Sequence, residues 1–302
     1  MNLSIVICTY NRAHFLKLAL ESLLPQVLQC SVNDIEIVVV DNNSKDGSFS
    51  VIKEFQLKFQ SFSLLYFLEK QQGLSFSRNR AILESKGNYI VFLDDDATVN
   101  DQWLSSLLKA INNQDANVFG GPIYPNFESI CPSWIDSNYF VRTFRSGDGY
   151  LNSISAKSGF SGGNMCFARD IFQLIGVFNT SLGMNGTLLG LGEETDLFNR
   201  LHQSTYEAKL YNINLMSISH FESSKKFEKS YLKERIKLSG YQFTNRMLAQ
   251  SKFIGSISVF LKLVKQFLFS IVYLLQIPFI EKCRFKFLKC IWLISGLLKG
   301  FF

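Results

Sequence analysis

At 302 residues the chain is long enough to bury one large α/β core with an appendage besides. Its formal charge of +6 is unevenly placed: Ser223 to Phe302 carry 15 Lys/Arg against 3 Glu, a balance of +12, which leaves −6 for residues 1–222. The tail is rich in Phe, Leu and Ile without polar spacing, which points to an anionic membrane surface and away from nucleic acid.

The six cysteines, Cys8, Cys30, Cys131, Cys166, Cys283 and Cys290, have no CxxC pair and no metal-type spacing. They read as small core hydrophobes and free thiols in a reducing compartment. Met1 to Tyr10 lacks a basic leader and is too short an apolar stretch for a signal peptide, so the cytoplasm is the expected compartment.

Leu3 to Cys8 is a β-branched run of the kind that forms a buried parallel strand, and it stops at Thr9-Tyr10-Asn11-Arg12. Phe15, Leu16, Ala19, Leu20, Leu23 and Leu24 then recur at helical spacing, with Pro25 marking the exit. A strand over Ile35 to Val40 ends in the polar turn Asp41 to Gly47. Next come a helix from Ser48 to Phe59, a strand at Leu64–Leu68, a helix from Gly73 to Ser85 and a strand from Tyr89 to Leu93. That last strand runs into Asp94-Asp95-Asp96.

This alternation predicts an α/β fold, a Rossmann-like and mostly parallel sheet with helices on both faces. Such sheets bind ligands beyond the carboxyl ends of their strands, and polar clusters fall at three of those ends: Thr9 to Arg12, Asp41 to Asn43, and Asp94 to Asp96. Residues 117–222 are less regular, with a strand and turn at Val118 to Pro122 and a glycine turn at Ser161 to Asn164. A helix is introduced by Gly190-Leu191-Gly192-Glu193-Glu194. Residues 224–250 read as a charged surface helix, and 253–302 as an apolar, lysine-studded tail.

Three adjacent carboxylates repel one another and persist where a cation or donors compensate. Hard oxygen ligands suit Mg2+ or Mn2+, which take one or two protein carboxylates plus phosphate oxygens. The competing reading of Asp94 to Asp96 is a solvated acidic loop capping the helix near Asp101. Asp41 stands at another strand end, ready to accept hydrogen bonds from a base or ribose, while Asn42 and Ser44 read as an Asx-turn. Arg78 offers a guanidinium to a diphosphate from the first turns of its helix, or is an ordinary surface arginine. Trp134 is an aromatic platform for an acceptor sugar or a core residue.

Taken together, Val6 to Arg12, Val38 to Gly47, Gly73 to Asn79 and Phe92 to Asp96 resemble the ordered signature of family-2 glycosyltransferases with the GT-A fold. The resemblance implies a nucleotide-diphosphate sugar donor, usually a UDP-sugar, and a metal-dependent, usually inverting transfer. It implies that Thr9, Tyr10 and Arg12 line the nucleotide pocket, that Asp41 contacts the base with Asn43 beside it, and that Arg78 and Asn79 lie near the ribose and phosphates. Asp94 and Asp96 become the outer carboxylates of a DxD motif, Asp96 nearest the metal and Asp94 or Asp95 towards the ribose.

Gly162 to Phe167 resembles the family's strand beside the acceptor, which brings Gly163 and Asn164 to that sugar. Gly192 to Leu197 resembles its acidic motif at a helix start, where the second acid is the general base. Glu194 falls in that place, with Glu193 beside it at the acceptor and as the alternative base. His220 stands where many GT-A enzymes supply a metal-ligating histidine; standing alone, a histidine is as readily structural. The match covers about residues 3–222. It implies a catalytic domain 1–222, with a nucleotide-sugar part over about 1–100 and an acceptor part over about 117–222.

The tail, 223–302, lies outside the resemblance. Phe253 to Leu261 and Phe267 to Ile280 are apolar stretches separated by Lys262 and Lys265. The longest uncharged run, Gln266 to Ile280, has 15 residues, short of the roughly 20 that a spanning helix needs, and Pro278 interrupts it. With Lys282, Arg284, Lys286 and Lys289 following, the pattern suits helices lying on the inner face of the cell membrane. A re-entrant hairpin, or a helical pair packed on the catalytic domain or on a second copy, is the alternative.

A membrane-docked transferase implies a saccharide or polyprenyl-lipid-linked acceptor, in bacterial surface polysaccharide or lipopolysaccharide synthesis. Two rival functions remain. A nucleotidyltransferase expects a glycine-rich phosphate loop after the first strand, which Thr9 to Arg12 does not provide. A sugar-binding scaffold with the same fold would bind without turnover.

Overall fold

The computed structural model describes residues 2–30, 34–152, 159–186, 188–276 and 282–301. They fall into two compact units: Met1–Asn126, Val141–Leu188 and Glu193–Phe221 in the first, and Phe127–Phe140, Leu189–Gly192 and Glu222–Phe302 in the second.

The first unit begins with strict alternation: β1 (Leu3–Thr9), α1 (Ala13–Val27), β2 (Ile35–Asp41), α2 (Ser48–Lys58), β3 (Leu64–Leu68), α3 (Leu74–Glu84) and β4 (Tyr89–Asp94). The strands pair in parallel in the order β3-β2-β1-β4. Element ends agree with the sequence reading to within a few residues; Pro25 lies inside the last turn of α1 rather than at its exit. A proline so near the end of a helix removes one late hydrogen bond without displacing a long following segment.

The rest of this unit is mixed. It holds β5 (Ala97–Val99), α4 (Trp103–Asn113), β6 (Val118–Gly120), β7 (Ile123–Phe127), β8 (Gly149–Tyr150), β9 (Asn164–Ala168), α5 (Asp170–Ile175), α6 (Glu193–Gln203), β10 (Leu210–Asn212) and β11 (Ile218–Glu222). The main sheet has eight strands in the order β3-β2-β1-β4-β9-β6-β10-β8, with β9 antiparallel to both neighbours. A second sheet has the order β5-β11-β7.

Strand side chains alternate between two buried layers. Leu3, Ile5 and Ile7 of β1 join Leu16 and Leu20 of α1, Ile52 of α2 and Trp103 of α4. Val6, Val38 and Phe92 face the other way, onto Ala81 of α3, Phe172 of α5 and Leu197 of α6. Burial on both faces is why β1 and β2 read as unbroken apolar runs. The loops after them are joined by Asp46, whose carboxylate accepts from Ala13 N (2.9 Å) and Ser48 N (3.0 Å) and so caps the first turns of α1 and α2 together.

The second unit contains α7 (Lys229–Gln250), α8 (Lys252–Gln276) and α9 (Lys282–Phe301). Its core joins Ile135 and Phe140 to Phe227, Leu232, Ile236, Phe285 and Trp292. Residues 127–140 therefore group with the tail, where the sequence reading had them in the acceptor part, because their aromatic side chains find their apolar partners there. A Cβ at Gly296 would stand 2.0 Å from Lys237 O, so only glycine permits the close crossing of α7 and α9. The two apolar stretches of the tail are not separate as far as the described residues go: Phe253 to Leu261 and Phe267 to Gln276 both belong to α8. Among the described residues one helix, Ile254–Gln276, is long and apolar enough to cross a membrane, with 11% of its apolar window buried. Pro278 and Ile280 lie outside the described residues. All six cysteines are free.

Candidate active site

Strand register brings the polar clusters together. Thr9 at the end of β1 pairs with Asp41 at the end of β2, and Cys8 pairs with Asp94 at the end of β4. Across the smaller sheet, β11 lies antiparallel to β5 with His220 opposite Ala97. That register carries the imidazole to the aspartates: His220 Nε2 is 3.1 Å from Asp96 Oδ1 and 3.8 Å from Asp94 Oδ2. Asp94, Asp96 and His220 each offer a ligand atom, and these atoms lie within 4.8 Å of one another. Two carboxylates and one imidazole form a donor set that fits Mn2+, or Mg2+ with water completing the shell.

The middle aspartate has a different task. Asp95 is buried, and Arg12 Nη1 reaches both Asp95 Oδ1 and Asp96 Oδ2 at 2.9 Å. Burial pushes the Asp95 carboxyl up to about 7 against the lowering effect of Arg12, with Asp96 adding to the rise. Asp94 is raised too, by burial first, with Arg78 opposing.

Arg78, 3% exposed, is the second cation of the site. Its Nη1 lies 3.3 Å from both Glu193 Oε1 and Glu194 Oε1, and its Nη2 lies 3.7 Å from Asp94 Oδ1. Its guanidinium stands 5.3 Å from the Phe178 ring centre and 5.9 Å from that of Phe92. It is therefore neither a surface arginine nor a group held out towards solvent, but the shared counter-charge of three acids. The acidic pair at the start of α6 is asymmetric: the Glu193 side chain is 5% exposed and that of Glu194 25%. Burial, reinforced by Glu194 and opposed by Arg78, pushes Glu193 up to about 7. Glu194 is the more solvent-accessible acid of the two.

Two glycines make room for these contacts. A Cβ on Gly162 would fall 1.9 Å from Glu194 Oε1, and one on Gly163 would fall 2.2 Å from Asp94 Oδ2. Gly163 thus backs Asp94 and Gly162 the contact between Glu194 and Arg78. Neither Gly162 nor Cys8 was singled out from sequence as a site residue; burial pushes the Cys8 thiol up to about 12 and leaves it neutral beside Arg78.

On the donor side, Asp41 accepts from Ser44 N at 2.8 Å and from the Tyr66 hydroxyl at 3.1 Å. Tyr66 was also missed, and its only signal was a hydroxyl in a short apolar strand. Tyr10 is half-buried just beyond β1, and Asn43, at φ 65°, accepts from Lys45 Nζ. Three expected site residues have other work. Asn79 donates to Phe178 O and accepts from Phe178 N, both at 2.8 Å, which fixes the loop carrying an Arg78 stacking partner. Asn164 is wholly buried, accepts from Trp103 Nε1 at 2.9 Å and donates to Met216 O at 2.6 Å, so its amide is closed to an acceptor sugar. Trp134 belongs to the second unit, where its ring stands 6.0 Å from that of Phe285.

A parallel nucleotide-binding type of sheet, an aspartate pair with a histidine at its rim and an acidic helix start facing them define a GT-A glycosyltransferase. Residues 4–176 match Glycosyl transferase family 2, and the chain belongs to that family. A glucosyl-dolichyl phosphate glucuronosyltransferase of Haloferax volcanii is 25% identical over 217 residues, covering 70% of this chain and 67% of that protein. The succinoglycan biosynthesis protein ExoM of Rhizobium meliloti is 28% identical over 206 residues, covering 67% of this chain and 62% of that protein. The chain therefore spans about two thirds of the length of these relatives. In fold it is similar to the mannosyltransferase PcManGT of Pyrobaculum calidifontis, solved in complex with GDP-Man and Mn2+, with a TM-score of 0.66 at 15% identity, covering 100% of this chain and 87% of that one.

Proposed function

We propose that the protein transfers a sugar from a nucleoside-diphosphate sugar, in the first instance a UDP-sugar, to a saccharide or polyprenyl-lipid-linked acceptor, with inversion at the anomeric carbon. The observation that carries this reading is the Asp94–Asp96–His220 cluster, with Glu194 held nearby on the far side of Arg78. Asp94, Asp96 and His220 are the residues that would hold Mn2+ or Mg2+. Such an ion supplies neutralisation of the charge that develops on a departing diphosphate.

The chain's own residues account for the rest. Thr9, Tyr10, Arg12 and Asn43 line the donor side. Asp41, oriented by Tyr66 and Ser44, accepts an N–H from the base, which uracil and guanine both offer. Glu194 takes the proton of the acceptor hydroxyl as its oxygen attacks the anomeric carbon. The bond from that carbon to the diphosphate oxygen breaks, its electron pair leaves with the nucleotide, and the proton passes from Glu194 to water. A single displacement inverts the configuration.

The tail, 253–302, brings the enzyme to an anionic membrane at its cytoplasmic face, where lipid-linked acceptors for bacterial surface polysaccharide or lipopolysaccharide are built. The dolichyl phosphate named for the Haloferax relative and the succinoglycan named for the Rhizobium one support this setting. The test is a thermal-shift panel of UDP-, GDP- and other nucleotide-sugars with and without Mn2+. A Mn2+-dependent rise in Tm with one donor identifies the sugar. No response to any donor overturns the reading.

A further inference from the structure

Among the described residues, one side of α8 is left without a partner. Ile257, Val264 and Ile271 run down its centre, with Phe260 and Phe267 on one flank and Leu261 and Leu268 on the other, each 40–63% exposed. The opposite side is closed by protein. Val259 is fully buried, and a Cβ on Gly255 would meet Met247 O of α7 at 2.2 Å. Lys262 Nζ sits 3.4 Å above the Phe243 ring of α7, and Cys283 Sγ of α9 is 3.5 Å from Gln276 Oε1. An apolar stripe of this length in water is unfavourable, and it demands a partner.

We propose that α8 lies in the plane of an anionic bilayer, its Ile257–Val264–Ile271 face among the acyl chains and Lys265 at the headgroups, and does not cross the membrane. This rests on the membrane part of the proposed function and not on the transfer reaction. Three observations decide among the possible occupants.

Length alone would let α8 span, since its 25 residues give about 37 Å. Lys262 and Lys265, however, lie at mid-helix, with Arg246 of α7 close enough to act on Lys262. Crossing would carry these cations to the middle of the hydrocarbon, where a charge is most costly. In the plane Lys265 lies well, about 100° round the helix from Val264, at the rim of the stripe, where its stem reaches the headgroups, while Lys262 stays over the Phe243 ring of α7.

The second observation is charge. From Lys252 to Phe302 the sequence has eight Lys or Arg and one Glu, and the described residues of α8 and α9 contain no acid. A second copy meeting this face would set Lys265 and the basic start of α9 against their own counterparts, with no acid on either helix to pair them. An anionic lipid surface complements them. Third, Lys282 and Arg284 are exposed at the start of α9, beside the end of α8, and extend the basic rim beyond the stripe.

The experiment floats the full chain with vesicles of phosphatidylcholine alone or mixed with phosphatidylglycerol. The wild type floats with the mixed vesicles and about tenfold less with neutral ones. The Leu261→Asp/Leu268→Asp double variant keeps its Tm, because both positions are exposed, and loses about tenfold or more of its vesicle binding. Tryptophan introduced in turn at Ile257, Val264 and Ile271 is quenched above the wild-type background, and equally, by lipids brominated at a shallow chain position. Quenching graded with depth and deepest at Val264 would mean a spanning helix and overturn the proposal. A wild type that stays unbound in both mixtures, or a double variant that floats as well as wild type, overturns it too. So does a lipid-free dimer that the double variant dissociates, which would assign the face to a second copy. Because the assay reads partition and no sugar transfer, its failure is separable from failure of the transferase reading.

Discussion

Arg78 and Glu194, 116 positions apart in sequence, meet at 3.3 Å, and the same guanidinium stands 3.7 Å from Asp94. One buried cation thus joins the more exposed carboxylate of the α6 pair to a carboxylate of the candidate metal site. Because Glu194 is the more exposed of the two α6 acids, Glu194→Gln is expected to lower kcat by roughly 10²–10⁴ while donor affinity stays within about twofold. Glu193→Gln should cost less than about tenfold, since Gln resembles the neutral carboxyl that burial favours there. Steady-state kinetics with a donor-binding titration decides between them. Collapse in the Glu193 variant alone would move the base to that residue, and full activity in both variants would take the base away from the acidic pair.

Removing the shared cation leaves Asp94, Glu193 and Glu194 without it in a largely buried setting. Arg78→Met is expected to destabilise the first unit by about 3–5 kcal/mol, the usual cost of breaking a buried ion pair from one side. Adding Glu193→Gln removes part of the stranded charge, so the double variant should be more stable than Arg78→Met alone. Denaturant unfolding of the two single variants and the double variant measures that coupling, and simple additivity would contradict the shared role.

Glu193 also gives a pH signature in protein stripped of metal. Its folded-state pKa is raised from 4.5 to about 7, so the stabilising form is protonated. That contribution is complete below about 4.5 and is lost as pH rises through about 7, with a limiting slope of about 1.4 kcal/mol per pH unit. The stability of wild type relative to Glu193→Gln should therefore be greatest below about pH 4.5 and shrink by pH 8. A wild-type-minus-variant difference that is flat with pH would refute the shift.

The parallel half of the sheet and the position of Asp94 to Asp96 could be read from sequence because both are local: a β-branched run that ends in polar residues marks a strand end wherever it occurs. His220 was legible only through resemblance, as its place depends on the β5–β11 register. Side-chain direction was not legible at all. Asn79 and Asn164 fall inside recognisable motifs, yet Phe178 and Trp103, which come from other elements, determine where their amides turn. The grouping of residues 127–140 with the tail was hidden likewise, since it follows from aromatic contacts with Phe227 and Phe285 rather than from any composition change. What pattern can locate is the rim of the site; which acid faces solvent is set by tertiary packing.

The adjacent glycines allow the two halves of the site to be disturbed one at a time. In Gly162→Ala the new methyl would lie 1.9 Å from Glu194 Oε1 and 2.4 Å from Arg78 Nη2, both at the ends of long side chains that can give way. Stability should change by less than about 1 kcal/mol, but Glu194 moves off its position and kcat falls about tenfold or more with donor KM little changed. In Gly163→Ala the methyl would lie 2.2 Å from Asp94 Oδ2 and 2.6 Å from Asp94 Cγ, so a metal-side ligand is displaced instead. That variant should need about tenfold more Mn2+ for half-maximal activity and recover much of its rate at saturating Mn2+, whereas Gly162→Ala should not respond to added metal. If both variants answer to Mn2+ alike, the division of the site between a cation side at Asp94 and a proton-accepting side at Glu194 is wrong, and the two acids act as one cluster.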